Sequence, residues 1–187
     1  HGGDVLAGVA VEDLAGVDVK ISGCHNACAQ HHISTIGLHG VGKRLGNHVA
    51  PHYELHLGGS VNGTPRIGQM TVKLPAKAVP AALTHLIEVY RRDRLANEGL
   101  PGFIVRVGKI KLKDELIPYT IVPAYEDDPT YYYDWEGEDE FILEDLGPGE
   151  CAGGCGTLRR PGSGSEHPRS TGDAAGAAQG RVARAAA

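Results

Sequence analysis

Periodic apolar patterning stops at Pro118, and that boundary limits what the chain can fold into. Over residues 17–21, Val17, Val19 and Ile21 alternate with Asp18 and Lys20, the period of two that marks a half-buried strand. Residues 36–41 read as a second short strand, followed by a Gly/Lys/Arg turn over 42–46. Over 52–57, Tyr53, Leu55 and Leu57 alternate with His52, Glu54 and His56, a third strand closed by Gly58-Gly59. Residues 72–74 offer a short fourth strand before Pro75. The clearest helix is 78–95, where Val79, Leu83, Leu86, Ile87 and Tyr90 fall at i, i+4, i+7, i+8 and i+11. Pro80 suits its first turn, and Arg91, Arg92 and Arg94 suit its C-terminal end. Residues 103–116 read as a second helix, although Val105, Val107 and Ile110 would also suit a strand. The expected class is therefore α/β (α+β), a mixed sheet with flanking helices.

Beyond that boundary the composition changes. Residues 119–152 form an acidic, Tyr- and Pro-rich extension, expected to drape over a larger body through anchors such as Phe141, Ile142, Leu143 and Leu146. Residues 153–187 are nearly all Gly, Ala, Arg, Ser and Pro. Such a segment buries too little apolar surface to offset the entropy of ordering, so a disordered tail is expected. The organisation read from sequence is thus 1–118, 119–152 and 153–187.

The net charge of −5 conceals an asymmetry. Eleven of the 23 acids lie between Glu126 and Glu150, where there is no Lys or Arg, whereas five Arg face two acids from Ala152 onward. The basic stripe that grips a nucleic-acid backbone is missing, so nucleic acid is not an expected partner. No stretch approaches the roughly 18–20 apolar residues of a membrane span. The chain opens His1-Gly2-Gly3-Asp4, with no Met and no basic segment leading into an apolar one. It is expected to be the C-terminal part of a longer, cytoplasmic polypeptide.

Four cysteines, Cys24, Cys28, Cys151 and Cys155, come as two C-x3-C pairs. Without a secretory signal they are expected as metal ligands or thiols rather than disulfides. A strand runs into Gly23 and then Cys24, where a helix over 24–34 is expected to begin. Thiols at i and i+4 of a helix share a face, and its N-terminal N–H groups favour thiolates and an anionic iron–sulfur core. Gly23 would allow close backbone approach, and Asn26 could donate to a cluster sulfur or a cofactor carboxylate. The spacing alone is weak, since two buried thiols on a helix satisfy it equally well.

His31 and His32 follow within reach of a shared metal, which makes a Cys2His2 zinc site a formal option. Such sites separate their ligand pairs by a loop that is missing here, so hydrogen-bonding residues beside a cofactor are the preferred reading. His52, Glu54 and His56 share a strand face and could chelate a metal, although a solvated or partly covered face is the commoner case. Lys43, Arg44, Arg66 and Lys73 could pair with carboxylates of an anionic ligand, or simply be solvated. The acidic run 126–150 reads as solvated, and a dock for an acidic ferredoxin there is disfavoured by like charge.

The run Ser22-Gly23-Cys24-x-Asn26-x-Cys28-x-Gln30-His31-His32-Ile33, then Ile36-Gly37-Leu38-x-Gly40, resembles the second cysteine motif of the sirohaem-dependent nitrite and sulfite reductases. The likeness continues through Tyr53-Glu54-Leu55-His56-Leu57-Gly58-Gly59, Gly63-Thr64-Pro65-Arg66 and the helix from Val79 to Gly102-Phe103, covering about residues 15–110. It implies a fold of the nitrite/sulfite reductase 4Fe-4S domain type. It also implies that Cys24 is a ligand of a 4Fe-4S cluster and that Cys28 bridges the cluster to sirohaem, with Asn26 and Arg66 among the cofactor-binding residues. The implied activity is six-electron reduction of nitrite to ammonia or of sulfite to sulfide, fed by ferredoxin or a flavoprotein.

Two departures bear on that implication. The upstream C-x5-C motif and the substrate-clamping Arg and Lys residues of the family are not in this chain, and His25 stands where the family has Pro. No catalytic residue is therefore expected in it, and the chain alone is expected to be inactive. The segment around Cys151 resembles a C-terminal extension of some bacterial members, while Cys155 lies past the likeness. Replacement of the missing pair by Cys151 and Cys155 is not the preferred reading. A non-enzymatic iron–sulfur or zinc-binding module using Cys24 and Cys28 is the alternative.

Overall fold

A computed structural model describes residues 16–135 and 137–142. All of them lie in the first of two units, which divide after Gly156. The core element is a four-stranded mixed sheet in the order β1 (Val19–Ser22), β2 (Ile36–Leu45), β3 (His48–Leu57) and β4 (Gln69–Pro75). The first pair is parallel and the other two are antiparallel. Three helices follow: α1 (Val79–Asp93), α2 (Leu100–Val107) and α3 (Lys109–Leu116). The expected class holds.

The register explains what each face of the sheet carries. Ile36 lies opposite Leu57, Leu38 opposite Leu55, and Leu55 opposite Val72. Cross-strand partners share a face, so these residues form one apolar surface, and the helices cover it. All five residues of the expected α1 stripe are buried in that core, together with Leu100, Phe103, Leu112 and Leu116. The opposite face carries Gly37 against His56, His39 against Glu54, and Glu54 against Lys73. Alternation alone places these two sets of side chains on opposite sides.

Several expectations change at the boundaries. Most of the expected 42–46 turn is strand: β2 runs on to Leu45, and Leu45 pairs with His48 across the two-residue turn Gly46-Asn47. Strand pairing overrides the Gly/Lys/Arg composition because the hairpin aligns 42–45 with 48–51 and bonds their facing backbone groups. The single helix over 103–116 is two, broken at Gly108, whose φ of 81° is outside the helical range. Ile21, expected inward, is 36 % exposed, while Val17 and Val19 pack against the core. Among the described residues the short β1 is an edge strand, with β2 as its neighbour in the sheet.

The described part of the acidic extension docks on the β2–β3 turn. The Tyr125 ring stacks on His48 at 3.9 Å with 5° between planes, and Glu140 Oε1 lies 2.7 Å from His48 Nδ1. Tyr132 is buried and donates from its hydroxyl to Pro123 O. One acid of a run read as solvated is thus engaged. Leu143, Leu146, Cys151, Cys155 and the 153–187 tail lie outside the described residues.

The connection between β1 and β2 packs onto the second face of the sheet through missing side chains. A Cβ on Gly37 would sit 1.9 Å from the His31 carbonyl oxygen, and one on Gly40 would sit 2.4 Å from that of Gly23. Both neighbours are backbone and cannot swing aside. Gly37→Ala is therefore expected to destabilise the chain by about 2–3 kcal/mol in urea unfolding followed by circular dichroism. Gly102→Ala, in an exposed helical position with its nearest neighbour 3.7 Å from the added carbon, is expected to stabilise by about 0.4–1 kcal/mol.

Candidate functional site

Cys24 and Cys28 lie in the segment that links two parallel strands. A parallel pair requires a crossover, most often a helix. The expected helix over 24–34 is not there. Successive turns occupy 23–29, and a short 3-10 turn follows at His31–Ile33. Ala27 and Gln30 have φ of 57° and 59°, left-handed conformations that interrupt any right-handed helical run. The thiols therefore stand on a looped connector, and no helix N-terminus supplies the positive partial charge expected beside them.

The connector is held by its neighbours. Ser22 Oγ accepts from the Ala29 N–H at 3.3 Å, and the Thr35 N–H and hydroxyl both donate to Asp18 Oδ1, at 2.7 and 2.8 Å. Ser34 Oγ donates to His31 O, and the Gly68 N–H donates to His32 O at 2.6 Å. Cys24 is half-buried and Cys28 exposed, and neither is in a disulfide. Nothing lies within 4 Å of where a Gly23 side chain would begin. Close approach is thus made at Gly40, against the Gly23 carbonyl, and the space beside Gly23 is open. Two thiols beside open space fit half of the four-thiolate set that an iron–sulfur cluster takes. Asn26 shares the loop and is exposed.

Arg66 lies elsewhere. It is exposed on the β3–β4 connection, where its backbone pairs with that of Ser60, and it borders a cleft of about 240 Å³ shared with Gly58, Ile67, Thr71, Val105 and Lys109. The two loops meet through the Gly68-to-His32 hydrogen bond. Lys73, considered for anion binding, is paired with Glu54 at 2.9 Å, whereas Lys43 and Arg44 are exposed on β2.

The strand face bearing His52, Glu54 and His56 is covered. His52 and His56 are 2 % and 6 % exposed, and His31 of the connector and His39 of β2 are buried with them. The ring centres of His31, His39 and His56 lie 4.7–5.2 Å apart. His31 Nδ1 is 2.8 Å from Ser22 Oγ, and His39 Nε2 is 3.5 Å from Glu54 Oε2. The ring nitrogens of His56 are buried, and their one polar neighbour is the Gly68 backbone, which favours the charged form. Sequence reasoning missed His39, because its place beside Glu54 follows only from the β2–β3 register.

Burial shifts these groups in one direction. Loss of hydration, reinforced by the neighbouring imidazoles, brings His31 down to about 4, and burial likewise lowers His39, His52 and His56. Glu54 is held below the usual carboxylate range chiefly by its hydrogen bond from Lys73.

The geometry defines a class first: a mixed sheet whose parallel crossover is a thiol-bearing loop. The Nitrite and sulphite reductase 4Fe-4S domain family model matches residues 17–121, more than half of the chain. The chain belongs to that family. It is 37 % identical over 92 residues to the sulfite reductase (NADPH) hemoprotein beta-component of Myxococcus xanthus, a match covering 49 % of this chain and 15 % of that protein. The corresponding protein of Actinobacillus succinogenes is 39 % identical over 94 residues, covering 49 % of this chain and 14 % of its own length. The matched segment thus spans about 15 % of the length of these relatives. Among solved structures, the Mycobacterium tuberculosis NirA protein aligns with a TM-score of 0.45 at 20 % identity, over 56 % of this chain and 20 % of that one. No helix among the described residues is long and apolar enough to cross a membrane.

Neutral histidines in the fold and protonatable ones in the unfolded chain make stability pH-dependent. The unfolded state binds more protons below its pKa of about 6.5, so stability is full above that value and falls as pH drops toward 4. Thermal midpoints by circular dichroism are expected to decline steadily from pH 7 to pH 4.5. His31→Gln should flatten that decline while lowering the midpoint at pH 7.

Proposed function

We propose that this chain is the part of a nitrite or sulfite reductase that contributes two of the four thiolates of a 4Fe-4S cluster and one wall of a sirohaem pocket. The observation that carries the reading is the pair Cys24 and Cys28, on a loop beside open space and within the family-matched segment. Cys24 would be a cluster ligand, and Cys28 the ligand shared with the haem iron. The coupled centre, when bound, supplies electrons to the substrate anion. Residues 1–118 are read as the cofactor-binding part, 119–152 as the acidic extension and 153–187 as the tail.

The chain's own residues bind and orient. The hydrogen bonds from Ala29 to Ser22 and from Thr35 to Asp18 fix both ends of the loop, so the two sulfurs are presented from a braced backbone. Preorganisation of this kind lowers the ordering cost of ligation. Asn26, on the same loop, is read as a donor toward the cofactor, and Arg66 is assigned to a cofactor carboxylate. The remaining two thiolates and the groups that clamp nitrite or sulfite are assigned to residues outside this chain, as is the docking surface for a ferredoxin or flavoprotein donor. The setting is taken as cytoplasmic.

The test uses both this chain and the polypeptide that joins it to a preceding C-x5-C segment. Iron and sulfide reconstitution of the 187-residue chain alone should yield no stable cluster. In the joined polypeptide, Cys24→Ser and Cys28→Ser should each abolish the iron–sulfur absorbance and the six-electron reduction. Full iron content after both substitutions would overturn the assignment.

A further inference from the structure

We propose that His31, His39 and His56 form a binding site for one zinc-like divalent cation, separate from the cysteine pair. One ring nitrogen from each of the three lies within 4.8 Å of the others, and all three residues are buried. They come from three places in the fold: the turn after the thiols, β2 and β3. A tetrahedral zinc site holds its nitrogens about 3.3 Å apart, given Zn–N bonds of about 2.0–2.1 Å. Contraction by at most about 1.5 Å brings the three nitrogens onto one ion.

The polar surroundings point the same way. Metal-bound imidazoles use one nitrogen for the metal and the other for an orienting hydrogen bond. His31 Nδ1 is spoken for by Ser22 Oγ at 2.8 Å, which leaves Nε2 buried without a partner. His39 Nε2 faces Glu54, itself anchored by Lys73, which leaves Nδ1 buried without a partner. His56 has only the Gly68 backbone beside it, which can engage one ring nitrogen and leaves the other buried without a partner. Histidines serving only as core filling would leave these donors and acceptors unmet, a costly arrangement inside a protein. A cation at the centre of the triangle satisfies one nitrogen of each ring. His32, half-buried with its ring 4.0 Å from that of His31 and 4.9 Å from that of His56, is outside the triangle, which leaves the fourth ligand to water.

The donor set selects the metal class. Three neutral imidazoles without a carboxylate suit zinc, cobalt, nickel or copper, and not the oxygen-seeking calcium or magnesium. The ion would tie the connector to both central strands and so steady the backbone on which Cys24 and Cys28 stand. Its binding does not depend on those thiols, so it stands or falls apart from the iron–sulfur assignment.

The experiment is a zinc titration of the full 187-residue chain with Cys24, Cys28, Cys151 and Cys155 all changed to Ser, read by calorimetry and bound-metal analysis. One equivalent is expected. Cobalt in the same site should give tetrahedral d–d bands with no sulfur charge-transfer band. His39→Leu should weaken zinc binding by at least about 100-fold, and Glu54→Gln by about 10–100-fold. A folded cysteine-free chain that takes up no zinc would overturn the proposal, as would affinity unchanged by both His39→Leu and Glu54→Gln. Should the substituted chains fail to fold, X-ray absorption of the first zinc equivalent on the unaltered chain decides. A shell of imidazole and water supports the site, and sulfur in the shell overturns it.

Discussion

The contact on which the rest depends is the seating of the β1–β2 connector against the second face of the sheet. The His31 carbonyl lies where a Gly37 side chain would be, and the Gly23 carbonyl where a Gly40 side chain would be. With any larger residue at either place the connector would stand off the sheet, and both the thiol loop and the histidines would lose their position. The Gly68 N–H, donated to His32 O, fastens the same turn from the β3–β4 side. Helices hold one face of the sheet by apolar burial, whereas the other face is held by backbone contact and hydrogen bonds.

That difference explains what lies on each side. The helix-covered face could be built from Leu, Ile and Val because packing needs only shape and apolar area. The connector side must bury peptide groups and short polar side chains, and it does so with Ser22, Ser34 and Asp18 satisfying nearby backbone. Imidazoles belong to that polar layer. Burial keeps them neutral, the form in which an imidazole nitrogen can accept a proton or a metal.

Much of this was legible in the sequence, and what was not has physical causes. The α1 stripe from Val79 to Tyr90 read correctly because an amphipathic period of 3.6 has few competing explanations. The helix break at Gly108 was hidden, since Val105, Val107 and Ile110 continue an apolar pattern across it. The connector was misread because Ala27, Ala29 and Gln30 favour a helix locally, and only the crossover geometry and the contact with Gly37 impose left-handed residues there. The thiol motif could be recognised from its residues, while the grouping of His31, His39 and His56 depends on strand register, which local sequence does not encode. The role of Glu140 against His48 depends on a separation of 92 residues.

The topology of the connector also sets an order of events. β2 and β3 zip from a two-residue turn, a local process that needs little loop closure. β1 can join only after the intervening chain has travelled back along the sheet, so the sulfur-bearing loop is the last piece of this face to settle. An incoming inorganic core would thus meet a finished platform whose sulfur-bearing jaw is already tied down through Ser22 and Asp18.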